Sequence, residues 1–154
     1  MSTGLKRSLG KEFKFLPDIA TADIAFEAAG QTPSELFENA GLALENAMVD
    51  TESVKPKEVL RVTKEEISLE DLLFSFLEEL VFLKDAKGLL FNRLKCEIKR
   101  LTANSYKLTA ILRGEKIDRK RHKLKVDVKA VTKHMFELKQ LPSGTWHCRV
   151  ILDI

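Results

Sequence analysis

The chain has 154 residues, of which 44% are hydrophobic and 32% are charged, and its formal net charge is +3. These values predict a globular protein with a sizeable core, and they exclude a membrane-spanning apolar run and a secretory signal. We therefore expect a cytoplasmic protein. The two cysteines, Cys96 and Cys148, provide neither a disulfide framework nor the spacing of a zinc site, so we interpret them as buried free thiols.

The sequence is expected to form one domain in which charge is unevenly distributed. Residues 1–11 are predicted to be a flexible N-terminal leader, and residues 12–154 a single domain. Residues 18–85 include 16 acidic and 5 basic residues, whereas residues 93–133 include 14 basic and 4 acidic ones. This segregation favours one acidic and one basic face. The alternative is that the basic residues are solvated outer faces of strands, where lysine protects sheet edges.

The first elements of the domain are predicted to be a strand and a helix. A weakly alternating stretch indicates a strand that ends at Gly30. A helix then follows Thr32 or Ser34, either of which can cap it, and ends near Met48. Its apolar positions recur at helical spacing and comprise Leu36, Ala40, Ala43, Leu44 and Ala47.

A second strand and a second helix come next. The strand has the sequence EVLRVTKEE, and the helix begins after Ser68, whose side chain is expected to cap it. Asp85 and Gly88 mark the end of this helix. Its broad apolar stripe indicates packing against a sheet or another helix and comprises Leu69, Leu72, Leu73, Phe76, Leu77, Leu80 and Val81.

The rest of the chain predicts strands. Residues 94–112 alternate around a turn at 104–105, which indicates a hairpin. Gly114 is expected to open a loop, and the long strand that follows it places alternate residues on one face, namely Leu124, Val126, Val128, Ala130 and Thr132. In the last strand Asp153 points outward. These elements predict an α+β two-layer sandwich, in which two helices cover one face of a mostly antiparallel sheet of about six or seven strands.

Common catalytic motifs are absent from the sequence. It contains no glycine-rich phosphate loop, no GxSxG, no HExxH and no cysteine cluster. Its three histidines, His122, His134 and His147, are scattered. His122 and His134 share the parity of one predicted strand, and we interpret them as hydrogen-bonded partners rather than catalysts. The sequence therefore favours a protein that is not an enzyme.

Three aspartates lie at the ends of predicted elements. Asp23 begins a strand in ATADIAF, Asp50 follows the first helix in AMVDTESV, and Asp153 precedes Ile154 with its α-carboxylate. Carboxylates without cysteine or abundant histidine suit hard cations such as calcium or magnesium. The alternative interpretation is that Asp50 caps a turn and Asp23 is solvated.

Several separate motifs resemble one known family. In chain order they are TADIAF, LALENAMVD, SLEDLLFSFLEELVFLKDAKGLLF, GEKIDRKRHKLKVDVKAVTKH and VILDI, and they extend from about Phe13 to Ile154. Together they resemble the archease family. The family pattern usually has a histidine just before the TAD element, where this sequence has Ala20. It commonly has a tyrosine where this sequence has Lys133.

The resemblance implies a function and a site. Archeases are small accessory proteins of the RtcB-type RNA ligase, which joins tRNA exon halves that carry a 2′,3′-cyclic phosphate or a 3′-phosphate. They promote guanylylation of the ligase and its multiple turnover, and tRNA is reached indirectly, through the ligase. The resemblance also implies a divalent metal ion, with calcium favoured and magnesium or manganese as alternatives. Its ligands here would be Asp23, Asp153 and Ile154, with Asp50 as a nearby acidic residue required for activation.

Two other functions remain open from the sequence. An RNA-binding or chaperone-like module could use the basic stretch 119–129, and its affinity for nucleic acid would fall steeply as salt rises. Stacking platforms for bases are not evident, since Tyr106 and Trp146 are the only aromatic residues besides phenylalanine. A metal-dependent hydrolase would need a base and a nucleophilic water. We rank it last, because no histidine stands beside the carboxylates in the sequence.

Overall fold

The computed structural model of the protein describes residues 6–8, 11–16 and 23–154, and the side chains of residues 12–16 and 23–154. Helix α1 spans Pro33–Met48 and helix α2 spans Leu69–Lys87. The strands, in chain order, are β1 Lys6–Ser8, β2 Lys11–Leu16, β3 Asp23–Gly30, β4 Glu58–Glu66, β5 Leu89–Thr102, β6 Ser105–Lys116, β7 Ala130–Val131, β8 Glu137–Gln140 and β9 Trp146–Asp153.

The described strands form two antiparallel sheets. One sheet has the strand order β1-β2-β3-β9-β7, and β8 pairs with the first half of β9. The other sheet has the order β4-β6-β5. The α+β class, with two helices and antiparallel pairing, is confirmed. The arrangement differs from the expected single sheet of six or seven strands, because the described part of the chain divides nine strands between two sheets.

Helix α1 accounts for the division into two sheets. It packs against β3 of the first sheet and against β5 of the second. Its buried side chains Glu38 and Glu45 accept hydrogen bonds from the backbone N–H groups of Cys96 and Phe91 in β5, at 2.8 and 3.0 Å. The unpaired N–H and C=O groups of an edge strand can hydrogen-bond to a further strand. Along β5 the side chains of α1 take that place, so the second sheet ends there.

The helix ends follow the caps expected from the sequence. The side chain of Thr32 accepts a hydrogen bond from the N–H of Glu35 at 3.1 Å, at the start of α1. The Ser68 hydroxyl accepts one from the N–H of Asp71 at 3.0 Å, at the start of α2. Gly88 ends α2 in the left-handed conformation, with φ of 62°, which glycine adopts without a steric penalty. These cap predictions are confirmed.

The prediction of a long strand after residue 123 is wrong. Within it only Ala130–Val131 is a strand, and Leu124 makes an isolated bridge with Val49. The N–H groups of Lys125 and Val126 donate instead to the carbonyls of Met48 and Ala47. This segment therefore satisfies the free carbonyls at the end of α1, and it cannot continue as a sheet strand. His122 and His134 likewise lie outside strands.

Two further boundaries differ from the expectations. Gly114 lies inside β6, opposite Glu58 and Phe91, instead of opening a loop. A Cβ atom at this position would collide with the backbone of Leu90, so glycine is required by close packing within the sheet rather than by a turn. Strand β1 lies within the segment expected to be a leader, and it pairs with β2 at the edge of the first sheet; the flexibility of that segment stays a prediction.

The two cysteines are free and buried, as expected. Burial raises the pKa of the Cys148 thiol to about 12, so this thiol stays protonated and unreactive near neutral pH. Neither helix among the described residues is long and apolar enough to cross a membrane.

Candidate metal centre

Asp23 and Asp153 lie directly opposite each other on the neighbouring strands β3 and β9. Asp23 is the first residue of β3 and Asp153 the last of β9, so both stand at one end of the six-stranded sheet. Opposite residues of an antiparallel pair share a face, with Cβ atoms about 4.5–5.5 Å apart. Asp23 is half-buried and Asp153 is exposed. The fold thus brings together two carboxylates that are distant in sequence, and we call them the aspartate pair.

Ile154 follows the aspartate pair along the backbone. Its side chain is half-buried and packs against the hydrophobic core, which fixes its main chain next to Asp153. The carboxylates of the aspartate pair and the α-carboxylate of Ile154 are all hard oxygen donors. Such donors are the ligands of calcium and magnesium in proteins, so the chemistry of this set fits a hard divalent cation.

A connecting segment, residues 123–131, joins the Asp50 turn to the aspartate pair. The N–H of Asp50 donates to the carbonyl of Lys123 at 2.8 Å, and the N–H of Lys129 donates to the carbonyl of Asp153 at 2.8 Å. Six residues of chain span at most about 20 Å. The two anchor points of this segment therefore lie no farther apart than that, so one short segment links Asp50 to Asp153.

Asp50 caps a short 3₁₀ turn, Thr51–Ser53. Its Oδ1 accepts a hydrogen bond from the N–H of Glu52 at 3.1 Å, and its carbonyl accepts one from the Ser53 hydroxyl at 2.6 Å. The side chain is half-buried. Among the described residues its second carboxylate oxygen makes no hydrogen bond. Asp50 thus has the capping role considered from the sequence, and one oxygen remains for an external partner.

The Asp50 turn is held by the loop that follows β6. Arg121 donates to the carbonyl of Ser53 at 3.1 Å, and the N–H of Lys123 donates to the Ser53 hydroxyl at 3.3 Å. Lys125 reaches the carbonyl of Asn46 at 2.9 Å. Part of the basic stretch 119–129 is therefore engaged in holding the turn in place.

A buried carboxylate, Glu115, anchors this loop. It accepts hydrogen bonds from Arg121 at 2.5 Å, from the N–H of Lys55 at 2.7 Å and from His122 at 2.8 Å. Burial by itself raises the pKa of the Glu115 carboxyl, but the hydrogen bonds from Arg121, His122 and Lys55 outweigh it and hold the pKa at about 2. Glu115 is thus a fixed negative charge to which three separate parts of the loop region are bound.

His122 is the buried partner of Glu115, as the hydrogen-bonding interpretation of this histidine expected. Its Nδ1 accepts a hydrogen bond from the N–H of Asp118 at 2.8 Å. An imidazole nitrogen that accepts cannot also carry a proton. With Nδ1 as the acceptor, Nε2 carries the N–H that faces Glu115 at 2.8 Å. His122 stabilises the loop, and it is buried away from solvent.

Lys84 attaches helix α2 to the connecting segment. Its ammonium group contacts Asp127 at 2.5 Å, Asp85 at 2.6 Å and the carbonyl of Val128 at 2.7 Å. Burial lowers the pKa of Lys84, but the contacts with Asp127 and Asp85 outweigh it and raise the pKa above its usual value. A cavity of about 400 Å³ opens beside this contact, between Met48, Leu124 and Lys84. The connecting segment is thus fixed at its middle as well as at both ends.

Among the described residues, no three side chains of His, Cys, Asp or Glu form a group that could hold a metal ion. Asp50 is therefore not a third carboxylate of such a group with the aspartate pair. The ligand set expected from the sequence contains only two such side chains, because its third member is the α-carboxylate of Ile154. This ligand set stays a prediction. Ala20, at the position of the family histidine, lies outside the described residues.

Sequence reasoning did not single out Glu115 or Lys84, and it considered the connecting segment only as a predicted strand and as part of the basic stretch 119–129. Glu115 follows Gly114, where the sequence predicts a loop. No local sequence pattern therefore indicates that this carboxylate is buried. The alternation of apolar and polar side chains over residues 124–132 wrongly predicts a strand. The same alternation is compatible with an extended chain that donates hydrogen bonds to the end of a helix. Only the segment's unusual density of charge pointed to a role beyond packing.

Comparisons with known proteins agree with the fold and identify relatives of the chain. The model of the archease protein family (MTH1598/TM1083) matches residues 13–154. Protein archease of Thermococcus kodakarensis is 42% identical over 134 residues, which cover 87% of this chain and 94% of that protein. Protein archease of Methanosarcina mazei is 36% identical over 147 residues, which cover 96% and 99%.

A solved structure is similar as well. The solution structure of protein 1598 of Methanobacterium thermoautotrophicum superposes with a TM-score of 0.77 and 36% sequence identity, and the match covers 92% of this chain and 98% of that one. Sequence and fold therefore point to the same relatives over nearly the whole length. The chain belongs to the archease family.

Proposed function

We propose that this protein is a non-catalytic activator of an RtcB-type RNA ligase in tRNA splicing. It promotes guanylylation of the active-site histidine of the ligase and allows the ligase to turn over repeatedly. Membership of the archease family supports this proposal. The observation that carries it is the pairing of Asp23 with Asp153 across β3 and β9, which gives the acidic end of the molecule a defined geometry.

In this proposal the aspartate pair and the α-carboxylate of Ile154 hold one divalent cation, with calcium favoured over magnesium or manganese. The cation supplies positive charge that offsets the repulsion among these carboxylates. The protein's own contribution is positional. The register of β3 and β9 aligns the aspartates, and the hydrogen bond from the N–H of Lys129 fixes the carbonyl of Asp153. The acidic end then faces the nucleotide site of the ligase, and Asp50 supplies a further carboxylate there.

The ligase is the direct partner in this proposal, and tRNA is reached through the ligase in the cytoplasm. The basic stretch 119–129 is a weaker candidate for the main function. Arg121 is engaged with Glu115 and Ser53, and Lys125 with Asn46. These side chains are used to build the Asp50 turn, so the stretch is less available to RNA than its sequence indicates.

The experiment is a guanylylation assay of the cognate ligase with GTP and a divalent metal ion. The native protein is expected to increase the amount of guanylylated ligase and to support more than one turnover. The double variant D23N/D153N keeps the size of both side chains and removes their charge. It is expected to lose most of the stimulation, because neutral amides are poor ligands for a hard cation.

The matched control is E70Q/E78Q. Both glutamates are exposed on helix α2, and the variant loses the same amount of charge as D23N/D153N. It is expected to stimulate the ligase as the native protein does. Equal stimulation by native protein and D23N/D153N would remove the aspartate pair from the mechanism. Absence of stimulation by the native protein would contradict the proposed function itself.

A further inference from the structure

The outer face of the β4-β6-β5 sheet carries a cluster of basic side chains. Residues directly opposite each other on antiparallel strands share a face. The register therefore groups the outward residues into four rows across the sheet, namely Val59–Arg113–Arg93, Arg61–Ile111–Lys95, Thr63–Thr109–Glu97 and Glu65–Lys107–Lys99. We call this surface the basic sheet face. Its first two rows contain four basic residues and no acidic one.

Like charges oppose each other on the basic sheet face. Arg93 lies directly opposite Arg113, and Lys99 lies directly opposite Lys107. Opposed like charges destabilise an antiparallel pair. In the part of the chain that the structure describes, Arg93 and Arg113 make no ion pair or side-chain hydrogen bond that would offset this repulsion. Neither do Arg61 and Lys95. The first two rows therefore concentrate positive charge without internal compensation, whereas Lys99 in the fourth row contacts Glu97 at 3.7 Å.

The composition of the face indicates the kind of partner. Three of the four basic residues in the first two rows are arginines, whose planar guanidinium groups match phosphate oxygens in pairs. A shallow cavity of about 400 Å³ lies among them and is lined by Arg93, Leu94, Lys95, Ile111 and Arg113. The twelve residues of the four rows include no aromatic side chain, so bases have no stacking platform. The face is suited to a phosphate backbone rather than to bases.

A second cavity adjoins one end of the sheet. It has a volume of about 660 Å³ and lies where β4 begins and β6 ends. Its lining mixes basic residues, among them Lys57, Lys116 and Arg119, with the acidic Glu58, Glu115 and Asp118. Side chains on one face of a strand recur every two positions, so Lys116, three residues from Arg113, lies off the basic sheet face. The uncompensated positive charge is therefore concentrated in the first two rows.

We propose that the basic sheet face binds the phosphate backbone of a nucleic acid strand without reading its bases. A phosphate between Arg93 and Arg113 accepts hydrogen bonds from both guanidinium groups and relieves their mutual repulsion. Contacts of this type fix the position of a strand but carry no sequence information. This activity is additional to the proposed activation of a ligase, and it uses a different sheet from the aspartate pair.

The test is fluorescence anisotropy with a labelled single-stranded RNA of about 20 nucleotides, titrated at several salt concentrations. The variant R93S/R113S removes the opposed arginines. Each phosphate contact contributes about 0.7 to the slope of log K against log salt for single strands, so the loss of two contacts lowers the slope by about 1.4 and weakens binding at low salt by about fivefold or more. The melting temperature should not fall, since the variant relieves repulsion.

The control variant K133S/K139S removes the same amount of charge from two exposed lysines outside the second sheet. It is expected to keep the native slope and affinity. Native binding by R93S/R113S would overturn the proposal, and loss of binding only in R119S/K120S would assign the contact to the loop instead. Absence of any salt-dependent RNA binding by the native protein up to about 100 µM, the weak end of non-specific affinities, would also overturn it. An acidic protein surface would then be the partner class.

Discussion

The backbone N–H of Asp50 donates a hydrogen bond to the carbonyl of Lys123 at 2.8 Å. Through this bond the turn after helix α1 is attached to the connecting segment that also reaches Asp153. The position of Asp50 therefore depends on the loop after β6 as well as on its own helix. Main-chain hydrogen bonds of one segment thus link Asp50 to Asp153, which lies opposite Asp23.

Substitution of Asp50 separates its charge from its capping role. D50A removes both, and loss of the cap is expected to lower the free energy of unfolding by about 1 kcal/mol. D50N keeps a good capping side chain, so its stability should match that of the native protein. Both variants are expected to lose ligase stimulation, measured by guanylylation beside urea unfolding curves. Native stimulation by D50N would show that the Asp50 charge is not needed.

Glu115 is expected to stabilise the Asp50 turn through its contacts with Arg121, His122 and Lys55. E115Q removes the charge that Arg121 and His122 contact, and should lower the free energy of unfolding by about 2–3 kcal/mol at neutral pH. Because the folded pKa of Glu115, about 2, lies below its unfolded value, its contribution is full above pH ~4.5 and is lost as pH falls toward 2. Unfolding curves between pH 2 and pH 7 should therefore converge for the two proteins at the acid end. Parallel curves would contradict this.

Glu45 gives the opposite pH dependence. Burial raises its pKa to about 8, although the N–H of Phe91 and the charge of Lys84 both lower it. The folded protein thus retains a proton that the unfolded chain releases. The stabilising contribution is full below pH ~4.5 and declines by up to about 1.4 kcal/mol per pH unit as pH rises toward 8.

E45Q should remove that decline while keeping the hydrogen bond to Phe91. Urea unfolding of native protein and E45Q at pH 5 to 9 measures the difference. The stability of E45Q relative to the native protein should rise from pH 5 toward pH 8 and then level off. A constant difference between the two proteins would mean that Glu45 is already ionised in the folded state.

Local patterns in the sequence predicted the helices, their caps and the hairpin of β5 and β6. Thr32, Ser68 and Gly88 act through bonds within a few residues, so their signals are local. The division into two sheets could not be predicted in this way, because it depends on Glu38 and Glu45 contacting β5 across the core. The role of Asp23 and Asp153 as metal ligands was inferred from the resemblance to a family. The placement of the aspartate pair follows from the register of β3 and β9, which no local pattern in either strand contains.

An extension of the chain tests the third expected ligand. Two glycines appended after Ile154 convert its α-carboxylate into a neutral carbonyl. The fold should be unchanged, because the added residues lie outside the core. Calcium affinity depends on the number of charged oxygens in a site, so the extended protein is expected to bind calcium more weakly. Two glycines added before Met1 are the control and should have no effect. Equal affinities for the native and C-terminally extended proteins would exclude the α-carboxylate as a ligand.

Calorimetric titration of calcium into native protein and D23N/D153N tests the central claim most directly, since it needs neither ligase nor RNA. The native protein is expected to bind one calcium ion, and D23N/D153N to bind it at least about tenfold more weakly, because two charged oxygen ligands become amides. Circular dichroism should show the same fold for both. Equal calcium affinities of the two folded proteins, or no calcium, magnesium or manganese binding by the native protein, would contradict the assignment of a metal centre to Asp23 and Asp153.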